Sequence, residues 1–131
     1  NITKMALNKL SKNKNGFFLM VEGAQIDWGG HDNDTDYLIT ELLDFDKTIG
    51  VALDFAAKNT ETLVIVTADH ETGGFTLSTD DGDYNKIKPT FSTGGHSATM
   101  VPIFAKGPGE ENFGGIYKNT ALFQNMMDIF K

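Results

Sequence analysis

The stretch Thr62-Leu63-Val64-Ile65-Val66-Thr67-Ala68 is apolar on both faces of an extended chain, and this constrains the fold more than any other feature. A half-buried strand alternates apolar with polar residues. A strand without that alternation needs cover on both sides, which is the situation of a central parallel strand flanked by helices. The stretch runs directly into Asp69-His70. A second run, Gly16-Phe17-Phe18-Leu19-Met20-Val21, leads in the same way into Glu22. In open α/β sheets ligands gather beyond the carboxyl ends of parallel strands. Residues far apart in sequence are therefore expected at one edge.

The rest of the chain fits around these two strands. Ile2, Met5, Ala6 and Leu10 form a helical stripe over 2–14 with Asn1 as cap; Asn15-Gly16 ends it, and the first strand covers about 17–22. A loop containing Gly23, Gly29 and Gly30 follows. Asp34-Thr35 caps a helix running to about Lys58, with Leu38, Leu42, Phe45, Ile49, Leu53 and Ala56 on its stripe. After Asp69-His70 come a short strand near Phe75–Ser78, a turn at Asp80-Asp81-Gly82-Asp83, a glycine-containing loop from Thr93 to Ser97, and a strand at Val101–Ala105 stopped by Gly107-Pro108-Gly109. Asn119 caps a last helix with Leu122, Phe123, Met126, Met127 and Phe130 facing inward. The order α-β-α-β-β-β-α predicts a layered α/β/α sandwich with a mostly parallel central sheet, formed by residues 1–131 as a single domain.

Composition narrows the chemistry. The 131 residues carry 18 acidic and 11 basic side chains, for a net charge of −7, and every basic one is Lys. An acidic chain without Arg is a poor match for nucleic acid, where basic patches dominate affinity. It is a good match for divalent cations, which carboxylate and imidazole attract. The absence of Cys excludes disulfides, thiolate zinc sites and cysteine nucleophiles. No stretch approaches a membrane span. The chain opens at Asn1 without Met and reads as a piece of something longer.

All three histidines lie among carboxylates: Glu22, Asp27 and His31 in one stretch, Asp69 and His70 in a second, His96 in a third. Zinc takes imidazole and carboxylate ligands, and catalytic sites keep one position open. Asp27 and His31, four apart, can meet one ion from a tight loop or a helical turn, with His96 as third ligand. Asp69 and His70 suit a second zinc about 4 Å away in a two-metal site, and Glu22 a harder ion such as magnesium. Asp32, Asp34, Asp36 and the Asp80–Asp83 cluster read as caps, turns and solvated surface; Glu71 is undecided.

Phe17-Phe18-Leu19-Met20-Val21-Glu22-Gly23 with Ile26-Asp27 and His31 resembles the metal segment of alkaline phosphatases. So do Val64-Ile65-Val66-Thr67-Ala68-Asp69-His70 and Gly95-His96 ahead of Val101-Pro102-Ile103-Phe104-Ala105-Lys106-Gly107-Pro108-Gly109. The resemblance implies a first zinc on Asp27, His31 and His96, a second on Asp69 and His70, and magnesium on Glu22. It places Trp28 beside the phosphate site, at a position that varies in the family. It further implies phosphate monoesters as substrates, inorganic phosphate as product, a phosphoserine intermediate, a periplasmic or secreted location and a homodimer.

The family's nucleophilic Ser, its metal-bridging Asp, the remaining magnesium ligands and the phosphate-clamping Arg all belong upstream of this segment and have no counterpart here. Ser97 beside His96 does not match the nucleophile's position. The chain is thus expected to be the carboxyl-terminal, metal-binding portion of such an enzyme, with little activity alone. Metal-dependent phosphodiesterases, sulfatases and phosphomutases share the same metal core, and a non-catalytic metal-binding module is the alternative of another class.

Overall fold

The computed structural model describes residues 2–130; the expected cap Asn1 lies outside them. Helix α1 (Ile2–Leu10) forms within the expected 2–14 but ends at Leu10, ahead of Asn15-Gly16, and buries a different face. Thr3 and Leu7 are buried, whereas Ile2 and Met5 of the expected stripe are 85% and 72% exposed. Side chains at i and i+4 share a helix face, so the burial of Leu7 selects Thr3 and turns Ile2 and Met5 outward.

The segment expected as a first strand at about 17–22 has no ladder partner among the described residues. Burial still alternates along it, Phe17 and Leu19 half-buried against exposed Phe18 and Met20, which is the period of an extended chain. Phe17 sets its ring edge-on to Phe55 at 6.2 Å between centroids.

The glycine-bearing stretch that follows is a helix, α2 (Ala24–His31), not the expected loop. Its glycines serve close approach. A Cβ on Gly29 would lie 2.7 Å from the Leu38 backbone nitrogen, and one on Gly30 would lie 2.9 Å from the Thr72 carbonyl oxygen. Helix α3 (Thr35–Ala56) starts where the sequence predicts, with Asp34 Oδ1 accepting the Tyr37 N–H at 3.0 Å as an N-cap. On its stripe Leu38 is buried and Phe45, Ile49 and Ala56 are half-buried, whereas Leu42 and Leu53 are exposed.

Among the described residues the strands that follow are β1 (Val64–Thr67), β2 (Glu71–Thr72), β3 (Thr76–Asp80), β4 (Asp83–Thr90), β5 (His96–Ser97) and β6 (Ile103–Lys106). They pair as β1 with β6, β2 with β5 and β3 with β4, antiparallel in each case. The α/β character stands, but these pairings differ from the mostly parallel sheet expected. An apolar run on both faces announces burial; it says nothing about the direction of the strand beside it. β3 and β4 form a hairpin whose two-residue loop, Asp81 at φ 47° and Gly82 at φ 80°, has the two positive φ values of a type I′ turn. A 3-10 turn (Glu110–Phe113) and α4 (Ala121–Ile129) close the chain. The residue before α4 is Thr120, not Asn119, and it makes no side-chain cap. Leu122 and Met126 are half-buried, while Phe123, Met127 and Phe130 are exposed rather than inward.

The chain divides into two compact units. One comprises the segment up to Met20, Lys47–Asp69 and the segment from Val101; the other comprises Val21–Asp46 and His70–Met100. In the first, β1 pairs with β6 from Val64 opposite Lys106 to Thr67 opposite Ile103. The second holds α2, the start of α3, and β2 to β5.

Candidate metal centre

Asp27, His31, His70 and His96 meet within the second unit. Asp27 and His31 stand one helical turn apart on α2, so their side chains share a face. Strand β2 begins immediately after His70, and the β2–β5 register sets Thr72 opposite His96. The His96 ring stacks on that of His70, with centroids 3.6 Å apart and planes inclined by 22°. Backbone bonds fix the surrounding loops: Gly73 N–H donates to the Gly95 carbonyl at 2.9 Å, and Ser92 and Thr93 N–H donate to the Gly73 carbonyl at 3.0 and 3.1 Å.

The donor atoms form a compact triangle. His31 Nε2 lies 3.1 Å from His96 Nε2 and 3.5 Å from Asp27 Oδ2, and His96 Nε2 lies 3.5 Å from Asp27 Oδ1. Two nitrogens sharing a tetrahedral zinc at about 2.05 Å are separated by about 3.3 Å. The triangle therefore has the dimensions of one coordination shell. His31 Nδ1 lies 2.9 Å from the Gly94 carbonyl oxygen, which can only accept, so Nδ1 carries the proton and Nε2 keeps its lone pair toward His96 and Asp27. A ligand histidine is oriented in this way by its outer nitrogen. Two imidazoles and a carboxylate, partly open to solvent, suit zinc with a position left for another ligand. His70 approaches the same group: Asp27, His70 and His96 each offer a donor atom within 4.8 Å of the others.

Glu22 is exposed in the segment ahead of α2 and joins none of these contacts. Asp69, next to His70 in sequence, closes the other unit. Trp28 follows Asp27 on α2 and is 60% exposed, an aromatic open to a ligand. A further participant carries no metal-ligand signature in the sequence. Thr72 Oγ1 touches both Asp27 Oδ1 and His70 Nδ1. Its position two residues after His70, hence on the same side of an extended chain, was the available signal.

The family described as Alkaline phosphatase matches residues 1–89. The chain belongs to the alkaline phosphatase family. Alkaline phosphatase 3 of Bacillus subtilis is 32% identical over 196 aligned residues, covering 95% of this chain and 42% of that protein. Streptomycin-6-phosphate phosphatase of Streptomyces griseus is 39% identical, covering 82% of this chain and 28% of that protein. The alkaline phosphatase from the Antarctic bacterium TAB5 superposes with a TM-score of 0.94 at 55% identity, over 98% of this chain and 39% of that one. A mutant of the same enzyme, solved with Mg bound in its M3 site, gives 0.93. The α/β fold is thus that of alkaline phosphatases, of whose length the chain spans about two-fifths.

Within this alkaline phosphatase segment, Glu71 and Ser97 brace the β2–β5 pair next to the histidines. The Ser97 hydroxyl donates to Glu71 Oε2, and the Phe75 N–H donates to Oε1 at 3.1 Å. The Ser97 bond holds the Glu71 carboxyl below its ordinary value of 4.5, helped by the backbone of Phe75 and Gly74 and by His70, against a smaller opposing effect of burial. A carboxyl with a depressed folded pKa adds stability above its unfolded value of about 4.5, and that stability is lost as pH falls through the folded value. Ser97→Ala is expected to raise the Glu71 pKa and reduce this acid-side loss. An NMR titration of the Glu71 side chain checks it, and an unchanged midpoint contradicts the assignment.

Proposed function

We propose that the chain carries the metal-holding part of an alkaline phosphatase that hydrolyses phosphate monoesters and releases inorganic phosphate, its two units belonging to one catalytic domain. The supporting observation is the triangle of Asp27, His31 and His96, with donor atoms 3.1 to 3.5 Å apart. In this reading Asp27, His31 and His96 hold the first zinc, Asp69 and His70 the second, and Glu22 magnesium. When bound, these ions supply Lewis acidity toward phosphoryl oxygens.

The chain's own residues set the conditions for that chemistry. Asp27 brings negative charge against the cation. His31, tied to Gly94, offers Nε2 without needing to reorient on binding, and Trp28, beside the phosphate site, tunes contact with the substrate. The nucleophilic Ser, the Arg clamp and the phosphoserine intermediate belong to the intact parent, as do the homodimer and the periplasmic or secreted location. No helix among the described residues is long and apolar enough to cross a membrane. Positioning and charge stabilisation provide most phosphoryl-transfer catalysis, so the 131 residues alone are expected to be inactive. A second reading, a metal-binding module without catalysis, holds if the intact parent lacks the nucleophilic Ser and the Arg clamp.

The test is a comparison of nitrophenyl phosphate, bis-nitrophenyl phosphate and nitrophenyl sulfate hydrolysis by the intact parent. A monoester preference, lost on chelation and restored by zinc with magnesium, is expected. A diester or sulfate preference contradicts the substrate assignment. A zinc-loaded parent inert toward all three favours the module.

A further inference from the structure

We propose that Thr72 is a positioning residue whose single hydroxyl sets both the orientation of Asp27 and the tautomer of His70. This deepens the metal-site reading above and rests on it for its affinity arm.

Thr72 Oγ1 lies 2.5 Å from Asp27 Oδ1 and 3.3 Å from His70 Nδ1. A carboxylate can only accept, so the hydroxyl proton goes to Asp27. A hydroxyl has one proton, so toward His70 it accepts, and His70 Nδ1 is the donor. His70 is therefore the Nδ1–H tautomer, with its lone pair on Nε2. The same bond anchors Asp27 Oδ1, which lies 3.5 Å from His96 Nε2, and so fixes the carboxylate plane with Oδ2 3.5 Å from His31 Nε2.

The anchor is itself rigid. Thr72 lies in β2 opposite His96 in β5, and a Cβ built on Gly30 of α2 would meet the Thr72 methyl carbon at 3.0 Å. One residue thus links α2, the residue ahead of β2, and β5, the three stretches that supply the candidate ligands of this unit. Outer contacts of this kind typically alter metal affinity by roughly 10- to 100-fold.

The test uses Thr72→Val, which keeps the branched shape of the strand residue and removes the hydroxyl, and Thr72→Ser, which keeps the hydroxyl. Zinc affinity is read by competition with a chromophoric chelator, and the His70 tautomer by long-range nitrogen–proton NMR on metal-free protein. The expected result is a roughly 10- to 100-fold affinity loss in the Val variant, wild-type affinity in the Ser variant, and a His70 proton on Nδ1 in the wild type that is no longer confined there in the Val variant. Unchanged affinity in the Val variant overturns the proposal. Equal losses in both variants do so as well, since they mark a purely structural role, and so does a wild-type His70 protonated on Nε2. A wild-type protein that binds no zinc counts against the metal-site reading instead, and the tautomer then decides the role of Thr72.

Discussion

His96→Ala is expected to abolish tight zinc binding while leaving the metal-free fold nearly unchanged. The two effects separate because the side chain and backbone of His96 do different jobs. The backbone pairs with Thr72 in the β2–β5 ladder, and alanine preserves that pairing. The side chain is exposed, so truncation leaves no large cavity; what it removes is the stacking on His70 at 3.6 Å and the Nε2 donor between His31 and Asp27. A surface truncation alters stability by about 0.5 kcal/mol. Loss of a direct ligand should exceed the roughly 10- to 100-fold typical of an outer contact. Isothermal titration with zinc, beside thermal melting of the metal-free protein, checks both halves. Affinity within about threefold of wild type would remove His96 from the site.

A large loss of stability is expected for Gly73→Ala. Gly73 has φ +86°, and a Cβ there would sit 2.7 Å from the Gly30 carbonyl oxygen and 2.9 Å from Phe91 Cδ1. Its N–H and carbonyl are both engaged, with Gly95 and with Ser92 and Thr93, so the backbone cannot rotate away without breaking those bonds. The left-handed conformation costs alanine about 1–2 kcal/mol, and overpacking against fixed atoms about 1–3 kcal/mol. Together the loss is about 2–5 kcal/mol. The clash is with α2, which carries Asp27 and His31, so zinc affinity should fall with stability. Urea unfolding measures the first and chelator competition the second. A change below about 0.5 kcal/mol contradicts the close approach.

Sequence patterning revealed what hydrophobic period encodes and missed what it does not. The run at Val64–Thr67 and the capped helix from Asp34 are strong local signals, and both elements form there. Helix α2 was hidden because Gly29 and Gly30 read as breakers, whereas they admit the Leu38 and Thr72 backbones. Strand β4 was hidden because Asp83–Thr90, with two Lys and a Pro, has no buried face to give a period; the Asp81-Gly82 hairpin loop was the only cue. Pairing direction was also invisible, since a strand's own residues do not name its neighbour. Within the site, carboxylate and imidazole types at suggestive spacing pointed to Asp27, His31, His70 and His96, which the fold gathers. Thr72 and the Gly94 carbonyl carry no metal signature in sequence. Their part becomes visible only through the atoms they face.

The metal centre proposed above has Asp27, His31 and His96 holding one ion through two imidazole nitrogens and a carboxylate oxygen. X-ray absorption at the zinc edge, on protein loaded with one equivalent of zinc, tests it most directly. The expected spectrum has a first shell of nitrogen and oxygen at about 2.0–2.1 Å, with outer-shell scattering from at least two imidazoles that diminishes in the His31→Ala and His96→Ala variants. A shell of oxygen alone, or an imidazole signal indifferent to both substitutions, would contradict it.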